Sequence, residues 1–223
     1  MFKSGIPDQQ GLYDPSNEHD NCGIGFVANI KNLKSHEIVK NGLTILDNLT
    51  HRGAAGADPL TGDGAGILIQ IPDRFYREEC GGLGFELPEI GCYGVGMVYF
   101  PQGEQARADC EQVIEQLVAE EGQKLLGWRD TPTDNSVLSG AVREIEPFIR
   151  QVFIGRGSNC KDTNAFERKL FVIRKQTHIR VREENLAEEE SFYVPTLSAR
   201  TICFKGMMLS DRVADYFTDL NDD

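Results

Sequence analysis

Cys22-Gly23-Ile24-Gly25-Phe26-Val27-Ala28 is the stretch on which the reading of this chain turns. It follows an acidic, loop-like segment, Gly11 to Asn21, so Cys22 sits where a loop gives way to a glycine-rich, apolar run. A cysteine at such a boundary becomes an N-terminal residue if the chain is cut before it. Its own α-amino group, with a reference pKa of about 8, can then take the thiol proton, and no histidine partner is needed. That chemistry requires that Met1 to Asn21 be removed first. Position alone also allows the opposite reading, because most cysteines are small buried apolar residues.

The rest of the composition narrows the function classes. The chain has 223 residues, of which 40% are apolar, enough for a substantial core in one large domain or two small ones. A formal net charge of -12 argues against nucleic acid and anionic membranes as partners, since phosphate binding needs a basic face. No apolar run approaches the roughly 20 residues that span a bilayer, and Met1 to Asn21 lacks the basic start and apolar centre of a secretory signal. The expected location is the cytoplasm. Six cysteines are scattered without a Cys-x-x-Cys pair or a histidine at zinc-ligand spacing, so neither a structural metal nor a disulfide framework is expected.

Hydrophobic periodicity gives strands and helices in mixed order. Strands are expected at Cys22 to Ile30, Gly64 to Ile71, Tyr93 to Phe100, Ile149 to Ile154, Phe192 to Val194 and Arg200 to Phe204. A helix capped by Ser35 presents Val39, Leu43, Leu46 and Leu49 on one face and ends near His51. A short helix from Asp73 to Glu79 is expected to stop at Gly81-Gly82. Val113, Leu117 and Val118 mark an amphipathic helix within Glu104 to Leu126, whose end can run into a strand over Lys124 to Arg129. Phe166, Leu170 and Ile173 mark another over Ala165 to Arg174, and the last helix covers about Ser210 to Phe217. The acidic run from Glu183 to Glu190 reads as an exposed turn.

A second segment, His51-Arg52-Gly53-Ala54-Ala55-Gly56-Ala57-Asp58 with Thr61-Gly62-Asp63-Gly64-Ala65-Gly66, is dense in glycine. Glycine there permits positive φ and close approach of backbone N–H groups to a ligand, although a tight strand connection has the same composition. The spacing matches neither the dinucleotide fingerprint nor a phosphate loop ending in Lys-Ser or Lys-Thr.

Taken together these strings resemble the start of the glutamate synthase large subunit. The resemblance rests on Gly11-Leu12-Tyr13-Asp14-Pro15, on Glu18-His19-Asp20-Asn21-Cys22-Gly23-Ile24-Gly25-Phe26-Val27-Ala28, and on the two glycine-rich strings above. It continues through Phe166-Glu167-Arg168-Lys169-Leu170, Phe192-Tyr193-Val194-Pro195 and Ser198-Ala199-Arg200-Thr201. What it implies is an α+β fold, the N-terminal-nucleophile four-layer αββα sandwich of a class II glutamine amidotransferase, incomplete at its C-terminal end. Residues 1–21 would be a propeptide, and 22–223 the N-terminal portion of the amidotransferase domain. Cys22 would be the nucleophile with its α-amino group as base, and Arg52 and Gly53 would support the substrate pocket. L-Glutamine is the implied substrate, and the remainder of the synthase polypeptide and a small subunit are the implied partners. FMN and an iron–sulfur cluster, implied for the complete enzyme, would lie outside this chain, and no metal is expected within it.

The chain departs from the family in one respect. Relatives carry an Arg-Phe-Ser-Thr-Asn string whose arginine grips the glutamine carboxylate, and an Asn-Gly-Glu string that supplies the oxyanion hole. Neither occurs in residues 1–223. The chain alone is therefore expected to be nearly inactive, and the alternative is a non-catalytic truncated or split-gene fragment that acts only as an association partner. Other class II amidotransferases, which deliver ammonia to sugar phosphates or aspartate, fit the Phe166 to Leu170 and Phe192 to Pro195 strings less well.

Overall fold

The computed structural model describes residues 9–11, 23–31, 33–52, 62–187 and 191–222. Its centre is β2 (Tyr93–Phe100), an eight-residue strand buried at every position. It pairs antiparallel with β4 (Phe148–Gly155) on one side and β5 (Tyr193–Ser198) on the other, and β4 pairs with β3 (Lys124–Asp130), giving the order β3-β4-β2-β5. A second sheet consists of β1 (Ala65–Gln70) and β6 (Thr201–Gly206), antiparallel with Ile67 opposite Phe204 and Ile69 opposite Ile202.

Alternation along β2 and β4 divides the core in two, as the period of 2 requires. Val98, Phe100, Val152 and Ile154 face α3 (Glu104–Glu120) and α5 (Thr163–Glu183), where they meet Val113, Leu117, Phe166, Leu170 and Ile173. Val95, Met97, Tyr99, Ile149 and Phe153 face the other way. They join α2 (Asp73–Gly82) through Tyr76 and Cys80, and β6 through Ile202 and Phe204. The apolar side of α1 (His36–Asn48) packs against this second core through Val39, Leu43 and Leu46. Helices, sheet, sheet and helix therefore succeed one another, in an α+β sandwich of two antiparallel sheets.

Gly94 shows how closely the helical layer sits. A Cβ at this position would lie 2.5 Å from a Leu170 methyl and 3.1 Å from the Ser198 carbonyl oxygen. The Leu170 side chain must turn aside within the packed core and the Ser198 carbonyl must give by a few tenths of an ångström, so Gly94→Ala is expected to cost about 2 kcal/mol. An unchanged urea midpoint for this variant would show that α5 has room to give.

Several boundaries differ from the sequence expectation. The strand expected over Cys22 to Ile30 is not hydrogen-bonded into a ladder: Gly23 to Asn29 has no strand partner among the described residues, and Cys22 lies outside them. α2 includes Gly81 and ends at Gly82, and beyond it Gly84, with a φ of 87°, lets the Phe85 N–H return to the Cys80 carbonyl. α5 continues nine residues past Arg174 because its buried stripe extends through Thr177 and Val181, with the Thr177 hydroxyl donating to the Ile173 carbonyl at 2.8 Å. Its start is capped by Asp162, whose carboxylate accepts the Ala165 N–H at 2.7 Å. The last helix is only α6 (Val213–Tyr216), flanked by the 3-10 turns Ser210–Arg212 and Thr218–Asn221. The short α4 (Gly140–Glu144), capped by Ser139, has no counterpart among the expected elements. In the acidic run α5 ends at Glu183, and Glu188 to Glu190 lie outside the described residues.

Candidate functional site

A cavity of about 1040 Å³ lies between Gly23–Asn29, α1, β1, the start of α2 and the turn at Asp219–Leu220. Gly23, the residue after Cys22, lines it, and so does Leu49, just before the 3-10 turn Thr50–Arg52. Of the three site residues expected from sequence, Cys22 and Gly53 lie outside the described residues. Arg52 closes that 3-10 turn, and its backbone alone is described.

The walls are built by close approach rather than by strand pairing. Gly25 lies so near α1 that a Cβ there would come within 2.3 Å of an Ile45 methyl. On the neighbouring positions Ile24 and Phe26 are each 91% exposed, and Leu68 of β1 also faces solvent. The wall is mostly apolar, with acidic groups (Asp73, Asp222) and basic ones (Lys34, Arg74) among its lining residues.

Three of the other thiols and one imidazole are poor candidates for a nucleophile and its base. Burial pushes the Cys80 and Cys110 thiols up to about 12 and raises that of Cys203, so none of the three is a thiolate near neutral pH. Burial lowers the His178 pKa, and its neutral ring accepts the Val194 N–H while packing against Phe192 and Tyr193. Among the described residues no group of three or more His, Cys, Asp and Glu could hold a metal ion. No helix among them is long and apolar enough to cross a membrane.

One polar centre escapes a reading by sequence pattern. Arg129 on β3 is only 4% exposed, and all five of its N–H donors are engaged. Nη1 and Nη2 grip Asp219 at 2.7 and 2.9 Å, Nε and Nη2 donate to Glu79 at 3.0 and 2.6 Å, and Nη1 also reaches Gln151 at 3.1 Å. Burial opposes the charge, but the carboxylates of Asp219 and Glu79 outweigh it and hold the guanidinium charged. Nearby, burial and the Asp219 charge keep the Tyr76 phenol neutral. Its hydroxyl has no hydrogen-bond partner among the described residues. The signal for Arg129 was its place in a strand at the same parity as Gly127, which faces Phe85 in the core.

The comparisons with known proteins agree with this architecture. The sequence profile of "Glutamine amidotransferases class-II" matches residues 22–223, beginning at Cys22. The chain is 47% identical to the glutamate synthase [NADPH] large chain of Bacillus subtilis over 223 residues, all of this chain and 14% of that protein. It is 39% identical to the glutamate synthase [NADH] of Schizosaccharomyces pombe, over 97% of this chain and 10% of that protein. It is 34% identical to a ferredoxin-dependent glutamate synthase of Arabidopsis thaliana, over 97% of this chain and 13% of that protein. The chain thus spans only a small part of the length of each of these relatives, and it belongs to the class-II glutamine amidotransferases.

Proposed function

We propose that this chain is the glutaminase part of a glutamate synthase, and that Cys22 is its nucleophile. The observation that carries the reading is the family match that starts at Cys22, on a chain similar throughout to glutamate synthases. With residues 1–21 removed as a propeptide, residues 22–223 form the first portion of the amidotransferase domain. The α-amino group of Cys22 takes the thiol proton as Sγ attacks the side-chain carbonyl carbon of L-glutamine. The tetrahedral adduct collapses by breaking the C–N bond, and the amine returns its proton to the departing nitrogen, which leaves as ammonia. Water then attacks the thioester, again giving a proton to the amine, and the C–S bond breaks to release glutamate. Arg52 and Gly53 support the pocket wall.

The ammonia would serve reductive amination of 2-oxoglutarate in the remainder of the longer polypeptide, which is the principal partner, with a small subunit as a second. The described cysteines are separate and mostly buried, and they do not fit an iron–sulfur cluster. In this reading FMN and the cluster belong to that remainder. Residues 1–223 alone should be a poor catalyst, because a single lost oxyanion donor costs about 10²–10³ in rate and the chain holds neither an Arg-Phe-Ser nor an Asn-Gly-Glu string. A cytoplasmic location is part of this reading.

The test is intact-mass measurement and labelling of the full-length protein that carries this sequence. The mature chain should begin at Cys22, and a glutamine-mimicking electrophile should add to that residue. Retention of Met1 to Asn21 in the active protein, or labelling elsewhere, would overturn the assignment.

A further inference from the structure

We propose that Arg129 and Asp219 act as positioning residues for the candidate site, holding α1 against the nucleophile-bearing segment through Leu220 and His36. The inference rests on the glutaminase reading for its consequence, but the linkage itself stands on contacts alone.

α1 forms one wall of the cavity, yet it is weakly anchored. It buries no side chain completely, and Ser35 at its N-terminus makes no capping hydrogen bond. Few fully buried contacts mean a low local opening energy, so individual anchors matter. Two are visible. At the C-terminal end the Thr50 hydroxyl lies 3.0 Å from that of Ser210. At the N-terminal end His36 Nε2 donates to the Leu220 carbonyl oxygen at 2.8 Å.

Leu220 is itself buried, in the 3-10 turn Thr218–Asn221 that also carries Asp219. The bidentate grip of Arg129 on Asp219 fixes that turn against β3, and Glu79 and Gln151 saturate the guanidinium so that it cannot swing away. A continuous path of direct contacts therefore runs from β3 to the first residue of α1. From α1 it reaches the site, because Ile45 lies against Gly25, three residues after Cys22. Gly23 to Ala28 has no ladder partner among the described residues, and this contact ties the segment to α1. A loosened α1 must be ordered again each time substrate binds, so its release weakens binding at the cavity wall rather than slowing the chemical step.

Two variants of the full-length protein test the proposal. Asp219→Asn keeps the shape but removes the charge that Arg129 holds. His36→Leu removes the last link at a half-buried position and spares the core. Amide hydrogen exchange in α1 is expected to accelerate by about tenfold or more in both, while exchange in α5 on the far side stays unchanged. The concentration of glutamine-mimicking electrophile that half-saturates Cys22 labelling should rise by about the same factor, with the limiting labelling rate within twofold. Unchanged α1 exchange in both variants overturns the proposal. So does parallel loss of protection in α1 and α5, which would mark simple destabilisation, and so does a loosened α1 with unaltered half-saturation. If Cys22 is not labelled even in the unaltered protein, the glutaminase reading falls, and the exchange comparison still decides whether Arg129 and Asp219 position α1.

Discussion

Cys22→Ala in the full-length protein is expected to lower ammonia release from L-glutamine by about 10⁴-fold or more while leaving the melting temperature within a degree or two. The size of the effect follows from the chemistry. Without the thiolate there is no thioester, and the only remaining route is attack by water on an unactivated carboxamide, aided at most by whatever binding and oxyanion contacts survive. The small effect on stability follows from position, because the neighbouring residues Gly23 to Ala28 are exposed and contribute little to either core. A structural cysteine would behave in the opposite way, losing stability and keeping turnover. A second variant separates the nucleophile from its base: blocking cleavage of the Asn21–Cys22 bond keeps the thiol but converts the α-amine into an amide, which cannot accept a proton at neutral pH. Such a protein should be as inactive as Cys22→Ala. Normal turnover by the uncleaved form would require another base; of the three described histidines, His36 and His178 are committed to backbone partners, which points to His51 in the turn Thr50–Arg52.

How much of this was legible in the sequence depends on whether the deciding interaction is local. β2 could be read with its correct limits because Tyr93 to Phe100 is a continuous apolar run, and a strand buried on both faces needs no alternation to announce it. β4 and the buried faces of α3 and α5 were equally clear, since their apolar spacing survives any change of partner. The extent of α5 was not, because Lys175-Gln176-Thr177-His178 reads as polar and the inward turn of Thr177 depends on its hydroxyl bonding back to Ile173. Gly23 to Asn29 carries strand-like composition, but a strand exists only where a neighbour supplies the ladder, and composition cannot provide one. The proposal for Cys22 rests on motifs rather than on pattern, and most of the glycine-rich segment from His51 to Gly66 lies outside the described residues. Arg129 was missed because a lone charged residue near a strand end reads as solvated, whereas its three partners come from 22 to 90 residues away in the chain.

That same long reach makes Arg129 the largest expected contributor to stability among the polar residues. Arg129→Met should lower the unfolding free energy by about 3–5 kcal/mol, because it leaves the Asp219 carboxylate, 6% exposed, without a countercharge. In a domain of this size that corresponds to a fall of roughly 10 °C in melting temperature. Glu79 contributes less to the loss, since its side chain is 42% exposed and can be hydrated when the guanidinium is gone. The double variant Arg129→Met with Asp219→Leu then discriminates between two accounts. If the penalty arises from stranding a buried charge, the double variant recovers about 2 kcal/mol or more relative to Arg129→Met, because an apolar pair can fill the space of an ion pair at little net cost. If the two effects simply add, the contribution of Arg129 lies in the packing of its methylenes and in its contact with the Phe75 ring, 5.2 Å from the guanidinium carbon. Arg129→Lys should fall between the wild type and Arg129→Met, since one ammonium group cannot serve three acceptors on α2, β4 and the C-terminal turn at once. Salt should change these differences little, because a pair this enclosed lies beyond effective ionic screening. The α1 wall should loosen in the double variant just as in Asp219→Asn, so recovered stability without recovered glutamine affinity would separate the role of Arg129 in the fold from its role at the site.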